Sequence, residues 1–359
     1  MGDSQRSTQS IGAISDDKPH VVDGPKAHRR FGWKKWAIAI VALVVILALA
    51  LGLGLGLGLR NNGGGDEGDN GSGNGGEPTG PGNSTFPTPA SNLTLGSQWQ
   101  IVLSETLSVD DNGQVSPSNT SNPGVSVYDI DMFLHQNLTV VRDLQELNMT
   151  VICYFSAGSY EPNRPDSWRF QDDDKGKELD GWPGEYWLKL TSQNVRDIMT
   201  DRIAIAADMG CNAIDPDNVD GYDNENGLDL SEEDSIDFMR FLAKEAANKG
   251  MITGLKNAAA IIDSVIDVVH FSVNEQCVQY DECADFAAFP NNDKPVFNIE
   301  YPAGDGDTDV KAFATNTVDK SCDKGTSNNG EGFNTVLKYM NLSGWVQYCN
   351  GDTYTTDGQ

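Results

Sequence analysis

The chain has 359 residues and a formal net charge of −28, from 53 acidic and 25 basic side chains. Its length allows one barrel-sized domain with appended segments. A negative field of this strength repels nucleic acid and attracts cationic ligands, so no nucleic-acid partner is expected. The alternative reading, that the acidity only keeps an exported protein soluble, stays open at this stage.

The N-terminal region has the pattern of a membrane anchor. Residues 1–35 are polar, which predicts a disordered cytoplasmic tail, and residues 36–59 form an uncharged run long enough to span a bilayer. Because basic residues such as Arg29 and Arg30 precede that run, the positive-inside rule predicts a single-pass type II protein with its bulk outside the cell. A cleaved signal peptide ending at Ala48-Leu49-Ala50 is the alternative.

The segment after the membrane run is typical of an extracellular linker. Residues 60–95 are rich in Gly, Asn, Ser and Pro, which predicts a flexible stalk. All Asn-x-Ser/Thr acceptor sites for N-glycosylation lie beyond residue 59, at Asn70, Asn83, Asn92, Asn119, Asn137, Asn148 and Asn341. This one-sided distribution agrees with the predicted orientation.

The chain has six cysteines, and none of them shows a CxxC spacing. An even number beyond a membrane segment favours disulfides over a zinc or redox site. Cys277 is predicted to pair with Cys283, and Cys322 with Cys349. Cys153 and Cys211 either pair or remain buried thiols.

Residues 96–359 alternate short apolar runs with helical patterns, which predicts one α/β domain. The clearest helix is Glu232–Lys249, and another follows Ser192. The candidate strands are Trp99–Leu103, Val125–Ile130, Thr150–Phe155, Ala213–Asp215, Ile252–Lys256, Val268–Val273, Pro295–Ile299 and Gly344–Tyr348. Their number and spacing predict a (β/α)8 TIM-like barrel. A doubly wound open sheet is the runner-up, but no GxGxxG follows any strand.

The stretch Ile214–Tyr222 carries three carboxylates where a predicted strand ends. Massed carboxylates at such a place are costly unless they are paired, solvated or used. A calcium loop does not fit, because Val219 occupies a ligand position counted from Asp215. An acidic surface turn is the other alternative.

Polar residues also follow most of the other predicted strands. In TIM barrels the carboxyl ends of the strands form the rim that carries the active site. The residues predicted to gather there are Asp129, Tyr154, Asp215, Asp217, Lys256, Asn257, Glu275, Glu300 and Tyr301.

The residue types at this rim favour glycoside hydrolysis. Only four histidines occur, and HExxH, GxSxG and P-loop motifs are missing from the sequence, so no metal or cofactor is predicted. Hydrolysis of a glycosidic bond needs one carboxyl as acid and a second as nucleophile or base. We assign Asp217 as the nucleophile and Glu275 as the acid/base. Lys256 would hold the nucleophile ionised or bind a substrate hydroxyl.

Four ordered motifs resemble glycoside hydrolase family 114. They are Val151–Glu161, Ile214–Tyr222, Gly254–Asn257 and Asn274–Cys277. The resemblance implies a (β/α)8 barrel with endo-α-1,4-polygalactosaminidase activity on de-N-acetylated galactosaminogalactan, a cationic amino-sugar polysaccharide. The membrane anchor also resembles that of fungal members of the family, which are type II membrane proteins.

The family's catalytic pair carries over onto Asp217 and Glu275. The residues placed in the substrate-binding cleft are Asp129, Tyr154, Asp215, Lys256, Asn257, Glu300 and Tyr301. Two alternatives stay open: a non-catalytic carbohydrate-binding protein of the cell wall, and a glycosidase that acts on another polysaccharide.

Overall fold

A computed structural model describes residues 93–108, 124–304, 311–322 and 333–358, all within the compact unit Ser84–Gln359. The predicted tail 1–35, membrane segment 36–59 and nearly all of the linker 60–95 lie outside the described residues. Within the described ranges, no helix is long and apolar enough to cross a membrane.

The domain is built on a curled ten-stranded sheet that is mostly parallel, which confirms the predicted α/β class and TIM-like arrangement. Its parallel strands, in spatial order, are β1 Gln98–Val102, β2 Val125–Asp131, β3 Thr150–Ser156, β7 Ala213–Asp217, β8 Ile252–Lys256, β9 Phe271–Glu275, β10 Val296–Glu300 and β11 Phe333–Leu337. Two antiparallel strands, β12 Trp345–Tyr348 and β13 Thr353–Thr355, extend the sheet after β11.

Helices connect the parallel strands. The two long ones are α3 Gln193–Met209 and α4 Glu232–Asn248, and the short ones are α1 Met132–His135, α2 Val140–Glu146, α5 Ile262–Val265, α6 Cys277–Tyr280 and α7 Thr315–Ser321. The side chain of Ser192 accepts a hydrogen bond from the Val195 amide at the start of α3. Ser231 and Asp234 form a reciprocal capping box at the start of α4, as its sequence predicts.

A small antiparallel sheet lies in the connection between β3 and α3. It consists of β4 Ser159–Tyr160, β5 Lys175–Glu178 and β6 Tyr186–Leu188. The sequence pattern does not predict this sheet. Its strands are short, and Lys175-Gly176-Lys177-Glu178 has no apolar residue to indicate one.

Two of the predicted strands need correction. The strand expected at Val268–Val273 runs from Phe271 to Glu275, so it begins three residues later. The expected last strand, Gly344–Tyr348, is a strand, but it pairs antiparallel with β11. The eighth parallel strand is Phe333–Leu337, which the sequence analysis missed.

Side chains join the first strand of the sheet to β11 and to the residue that follows it. Trp99 Nε1 donates to the carbonyl of Asn334 at 2.8 Å. The buried ammonium of Lys338 donates to Gln100 Oε1, the Ile101 carbonyl and the Ser343 carbonyl, at 2.9, 2.7 and 2.6 Å. β1 is therefore held against this part of the chain by side-chain hydrogen bonds.

All six cysteines form disulfides. Cys277–Cys283 and Cys322–Cys349 are confirmed. Cys153 pairs with Cys211, which resolves the alternative that the sequence left open. That bridge links β3 to the residues just before β7. These two strands are neighbours in the sheet, and both lie beneath the predicted site.

Candidate active site

Three functional side chains come from the carboxyl ends of three adjacent parallel strands. Asp217 ends β7, Lys256 ends β8 and Glu275 ends β9. Lys256 Nζ lies 3.3 Å from Asp217 Oδ1 and 3.5 Å from Glu275 Oε2. Because one ammonium contacts both, these two oxygens are at most about 7 Å apart, a separation that fits a pair of carboxyl groups on either side of one glycosidic bond.

The backbone turns in the same way after each of these residues. Asn218, Asn257 and Gln276 have φ angles of 60°, 49° and 62°, in the left-handed region that non-glycine residues seldom adopt. Each of them directly follows a site residue. This conformation ends the strand abruptly, so the preceding side chain is left at the rim, and such strain is typical of functional sites.

The carboxylate of Asp217 is held by two donors besides Lys256. Tyr154 Oη donates to Oδ2 at 2.8 Å, and the Asn218 amide donates to Oδ1 at 2.8 Å. Burial raises the pKa of Tyr154 well above its usual range, and the negative charge of Asp217 adds to the effect. Tyr154 therefore remains a proton donor at neutral pH and keeps Asp217 oriented.

Glu275 is also held by a tyrosine and an asparagine. Tyr301 Oη donates to Oε1 at 2.5 Å, and Asn257 Nδ2 donates to Oε2 at 3.2 Å. The Glu275 amide donates in turn to Asn257 Oδ1 at 2.9 Å. Burial, followed by the charge of Glu275, raises the pKa of Tyr301 well above its usual range. Asn257 and Tyr301 thus fix the orientation of Glu275.

Lys256 is only 2% exposed, yet it carries a positive charge. Burial by itself would lower the pKa of this lysine. The negative charges of Asp217, Glu275 and Asp215, in that order of effect, outweigh it and raise the pKa of Lys256 well above its usual range. Lys256 is a permanent cation between the two carboxylates at the rim.

Asp129 on β2 and Asp215 on β7 lie below this layer, and both are fully buried. In the part of the chain that the structure describes, no donor of another residue reaches any of their four carboxyl oxygens. Burial raises the pKa of Asp129 well above its usual range, and the charge of Asp215 raises it further. Burial also raises the pKa of Asp215 to about 7, against the opposing effect of Lys256.

The model of the glycoside-hydrolase family GH114 matches residues 81–354 of the chain. The chain belongs to family GH114.

Two solved structures resemble this GH114 protein. One is the crystal structure of Aspergillus fumigatus Ega3 in complex with galactosamine, with 47% sequence identity and a TM-score of 0.66 over 74% of this chain and 100% of Ega3. The other is the glycoside hydrolase domain of PelA from Pseudomonas aeruginosa, with 13% identity and a TM-score of 0.47 over 68% of this chain and 96% of that domain. Among curated proteins, no sequence matches the chain.

Because the chain belongs to GH114, the protein is a glycosidase. Its site contains the groups that hydrolysis of a glycosidic bond requires. Two carboxyl groups face one another across a cation, and tyrosine hydroxyls orient both. No group of three or more potential metal ligands occurs within the described parts of the chain.

The structure brings together most of the predicted site residues of the GH114 domain, in two layers. The rim layer contains Tyr154, Asp217, Lys256, Asn257, Glu275 and Tyr301, and the buried layer contains Asp129 and Asp215. Glu300 lies elsewhere. Its carboxylate accepts hydrogen bonds from the Val278 amide at 2.8 Å and from Asn298 Nδ2 at 3.2 Å, at the start of the short helix α6.

Sequence reasoning missed several groups beside Asp217. Arg164 Nη2 pairs with Asp131 Oδ2 at 2.7 Å and with Glu161 Oε1 at 2.6 Å. Burial, together with the charge of Glu161, raises the pKa of Glu185 to about 7, and the charge of Asp217 contributes in the same direction. Glu161, Arg164 and Glu185 lie in the connection between β3 and α3 that carries the small sheet. In the sequence, Glu161 is the last residue of the first of the four family motifs.

Proposed function

We propose that the protein is an endo-acting glycosidase that cleaves α-1,4-linked galactosamine in de-N-acetylated galactosaminogalactan. The observation that carries the proposal is the contact of Lys256 with both Asp217 and Glu275, in a GH114 chain that is 47% identical to Ega3, whose structure holds galactosamine. A polymer of galactosamine is cationic at neutral pH, and the chain carries a net charge of −28.

The proposed mechanism uses the two carboxyl groups in different roles. Asp217 attacks the anomeric carbon, and Glu275 gives its proton to the leaving oxygen as the glycosidic bond breaks. Water, deprotonated by Glu275, then hydrolyses the glycosyl ester on Asp217, so the anomeric configuration is retained. The separation of at most about 7 Å between the contacting oxygens is compatible with this route.

The assignment of roles rests on what each carboxylate contacts. Asp217 receives hydrogen bonds from Tyr154 and from the Asn218 amide and contacts Lys256, and these three contacts fix the direction of the attacking carboxylate. Its side chain is 16% exposed, whereas that of Glu275 is 26% exposed. The greater exposure of Glu275 suits a group that exchanges protons with the leaving oxygen and with water.

The membrane anchor is part of the proposal. Residues 36–59 would cross the bilayer as a type II signal anchor and place the catalytic domain, predicted as residues 96–359, at the cell surface. Three acceptor sites for N-glycosylation, at Asn137, Asn148 and Asn341, are exposed on the domain. Their glycosylation in the native protein would support the orientation, because the transfer occurs only on the luminal side.

The proposed substrate specificity can be tested with two forms of one polymer, which differ in N-acetylation. We expect the full-length protein to release reducing ends from partially de-N-acetylated galactosaminogalactan, with oligosaccharides of mixed length as the early products. Full N-acetylation of the same polymer should abolish release, because it removes the cationic amines. Equal cleavage of both forms would contradict the proposed specificity, and early release of monosaccharide alone would contradict the endo mode.

A further inference from the structure

The buried layer beneath the catalytic pair has no assigned role in the reaction. Asp129 and Asp215 are 0% exposed, so neither can contact a sugar in the cleft of the free enzyme. This corrects the expectation that they bind substrate. They come from β2 and β7, the strands on either side of β3, and their carboxyl groups are close enough to share a hydrogen bond.

The pair can make that hydrogen bond only if it carries a proton. A carboxylate is purely an acceptor, and no other residue among those described donates to these four oxygens. Two buried carboxyl groups in contact cannot both ionise at moderate cost, so one keeps its proton and donates to the other. Asp215 lies on β7, next to the strand β8 that carries Lys256, whereas Asp129 lies two strands farther away on β2, so the negative charge rests on Asp215 and the proton on Asp129.

The titratable groups nearest the pair come from the neighbouring strands. Tyr154 lies on β3, Asp217 on β7, Lys256 on β8, Glu275 on β9, and Tyr301 directly follows β10. Among these groups Lys256 is the single cation. It contacts Asp217 and Glu275 at the rim, and the charge of Asp215 acts on it from below.

We propose that Asp129 and Asp215 form a proton-sharing pair that positions Lys256. The proton on Asp129 lets a single negative charge rest on Asp215, and this charge holds the ammonium of Lys256 in place between Asp217 and Glu275. Lys256 in turn sets the separation of Asp217 and Glu275. The two aspartates are thus positioning residues for the reaction assigned in the proposed function, on which this inference rests.

Asparagine substitutions separate this role from simple packing. Asp129→Asn replaces the shared proton with an amide donor and leaves the charge on Asp215, so kcat should fall by no more than about tenfold. Asp215→Asn moves the charge onto Asp129, away from Lys256, and kcat should fall on the order of 10²-fold, the cost of a misplaced catalytic group. KM should change little, because neither residue touches the substrate. The double variant lacks the charge and should be the least active.

Infrared spectroscopy tests the pair without any substrate. At about pH 8 the parent should show the carbonyl stretch of a buried protonated carboxyl, and the band should be lost in both Asp129→Asn and Asp215→Asn. The full-length protein is used throughout, with Asp263→Asn, an exposed position on α5, as the control that keeps the band.

The outcomes separate this inference from the proposed function. A band that survives in Asp129→Asn, or an Asp129→Asn variant as impaired as Asp215→Asn, would overturn the proton-sharing pair. If Asp215→Asn does not fold, the infrared band and the activity of Asp129→Asn still decide the question. A parent that shows the band but cleaves no polymer would refute the proposed function and leave the pair intact.

Discussion

At the scale of single residues, the site depends on close contacts of the backbone. Asn218 follows Asp217 in a left-handed conformation, and the amides of Ala157 and Gly158 donate to the Asp217 carbonyl at 2.9 and 3.0 Å. A Cβ atom on Gly158 would lie 1.8 Å from the carbonyl oxygen of Asn218. Glycine is therefore required here for packing, and the loop after β3 is pressed directly against the turn that carries Asp217.

Substitution of Gly158 should impair both stability and activity. In Gly158→Ala the new methyl group cannot fit unless the turn at Asn218 moves, so we expect a loss of about 2 to 4 kcal/mol in the free energy of unfolding. Displacement of Asp217 should lower kcat by about 10²-fold. Denaturant unfolding and initial rates on the de-N-acetylated polymer measure the two effects.

Gly250→Ala is the matched control for this prediction. Gly250 has a φ of +82°, and nothing lies within 4 Å of an added Cβ. The backbone strain alone should cost about 1 kcal/mol and leave kcat unchanged. Equal effects of the two substitutions would contradict the role given to the Gly158 contact.

Residue-level prediction from the sequence gave the positions that the motifs supply, but it did not distinguish the two faces of a strand. Asp217, Lys256 and Glu275 converge at one rim. Side chains alternate along β10, so of the two neighbouring residues predicted there, Glu300 and Tyr301, only Tyr301 contacts Glu275. An error of one residue exchanges the two faces of a strand, and a single sequence gives no register.

At the scale of elements, the sequence predicts the buried strands well because they are short, nearly continuous apolar runs. Phe333–Leu337 was not predicted as a strand because Asn334 and Thr335 interrupt its apolar pattern. Gly344–Tyr348 was predicted as the eighth parallel strand because Trp345 and Tyr348 are typical of strands. No local feature of the sequence distinguishes parallel from antiparallel pairing. The contacts that hold this region against β1 connect residues more than 200 positions apart.

Lys338 is the main polar link in that region, and its removal should destabilise the domain. The side chain is fully buried, and its ammonium donates to three uncharged oxygens. Lys338→Met keeps the apolar stem but leaves those oxygens without this donor, so we expect a loss of about 3 kcal/mol or more in the free energy of unfolding. Denaturant titration of the purified protein measures the loss.

Lys244→Met serves as the control because Lys244 is exposed on α4. Its free energy of unfolding should lie within about 0.5 kcal/mol of the parent. If Lys338→Met were as stable as this control, the link between β1 and the residues after β11 would not contribute to stability as described.

At the scale of the whole molecule, the net charge of −28 bears on how the substrate arrives. A strongly acidic surface attracts a polyamine chain over distances of a Debye length, and salt screens that attraction. The contacts of Asp217, Lys256 and Glu275 are short and sheltered, so screening affects them much less. The surface charge should therefore govern binding, and the site should govern the chemical step.

A change in ionic strength should separate the contribution of the surface charge to binding from that of the site to the chemical step. When ionic strength rises from about 0.05 M to about 0.5 M, we expect KM for the de-N-acetylated polymer to rise several-fold while kcat stays nearly constant. Initial rates at saturating and limiting polymer, measured at one pH, distinguish the two parameters. A KM that does not change with salt would mean that the acidity serves solubility alone.

The central claim is that Asp217 and Glu275 together carry out the hydrolysis of a galactosamine polymer. Reducing-end release by full-length Asp217→Asn and Glu275→Gln tests it most directly, with the exposed Asp263→Asn and Glu233→Gln as matched controls. We expect each site variant to fold and to lose activity by about 10⁴-fold or more, while both controls match the parent. Substantial release by either folded site variant would contradict the assignment of the catalytic pair.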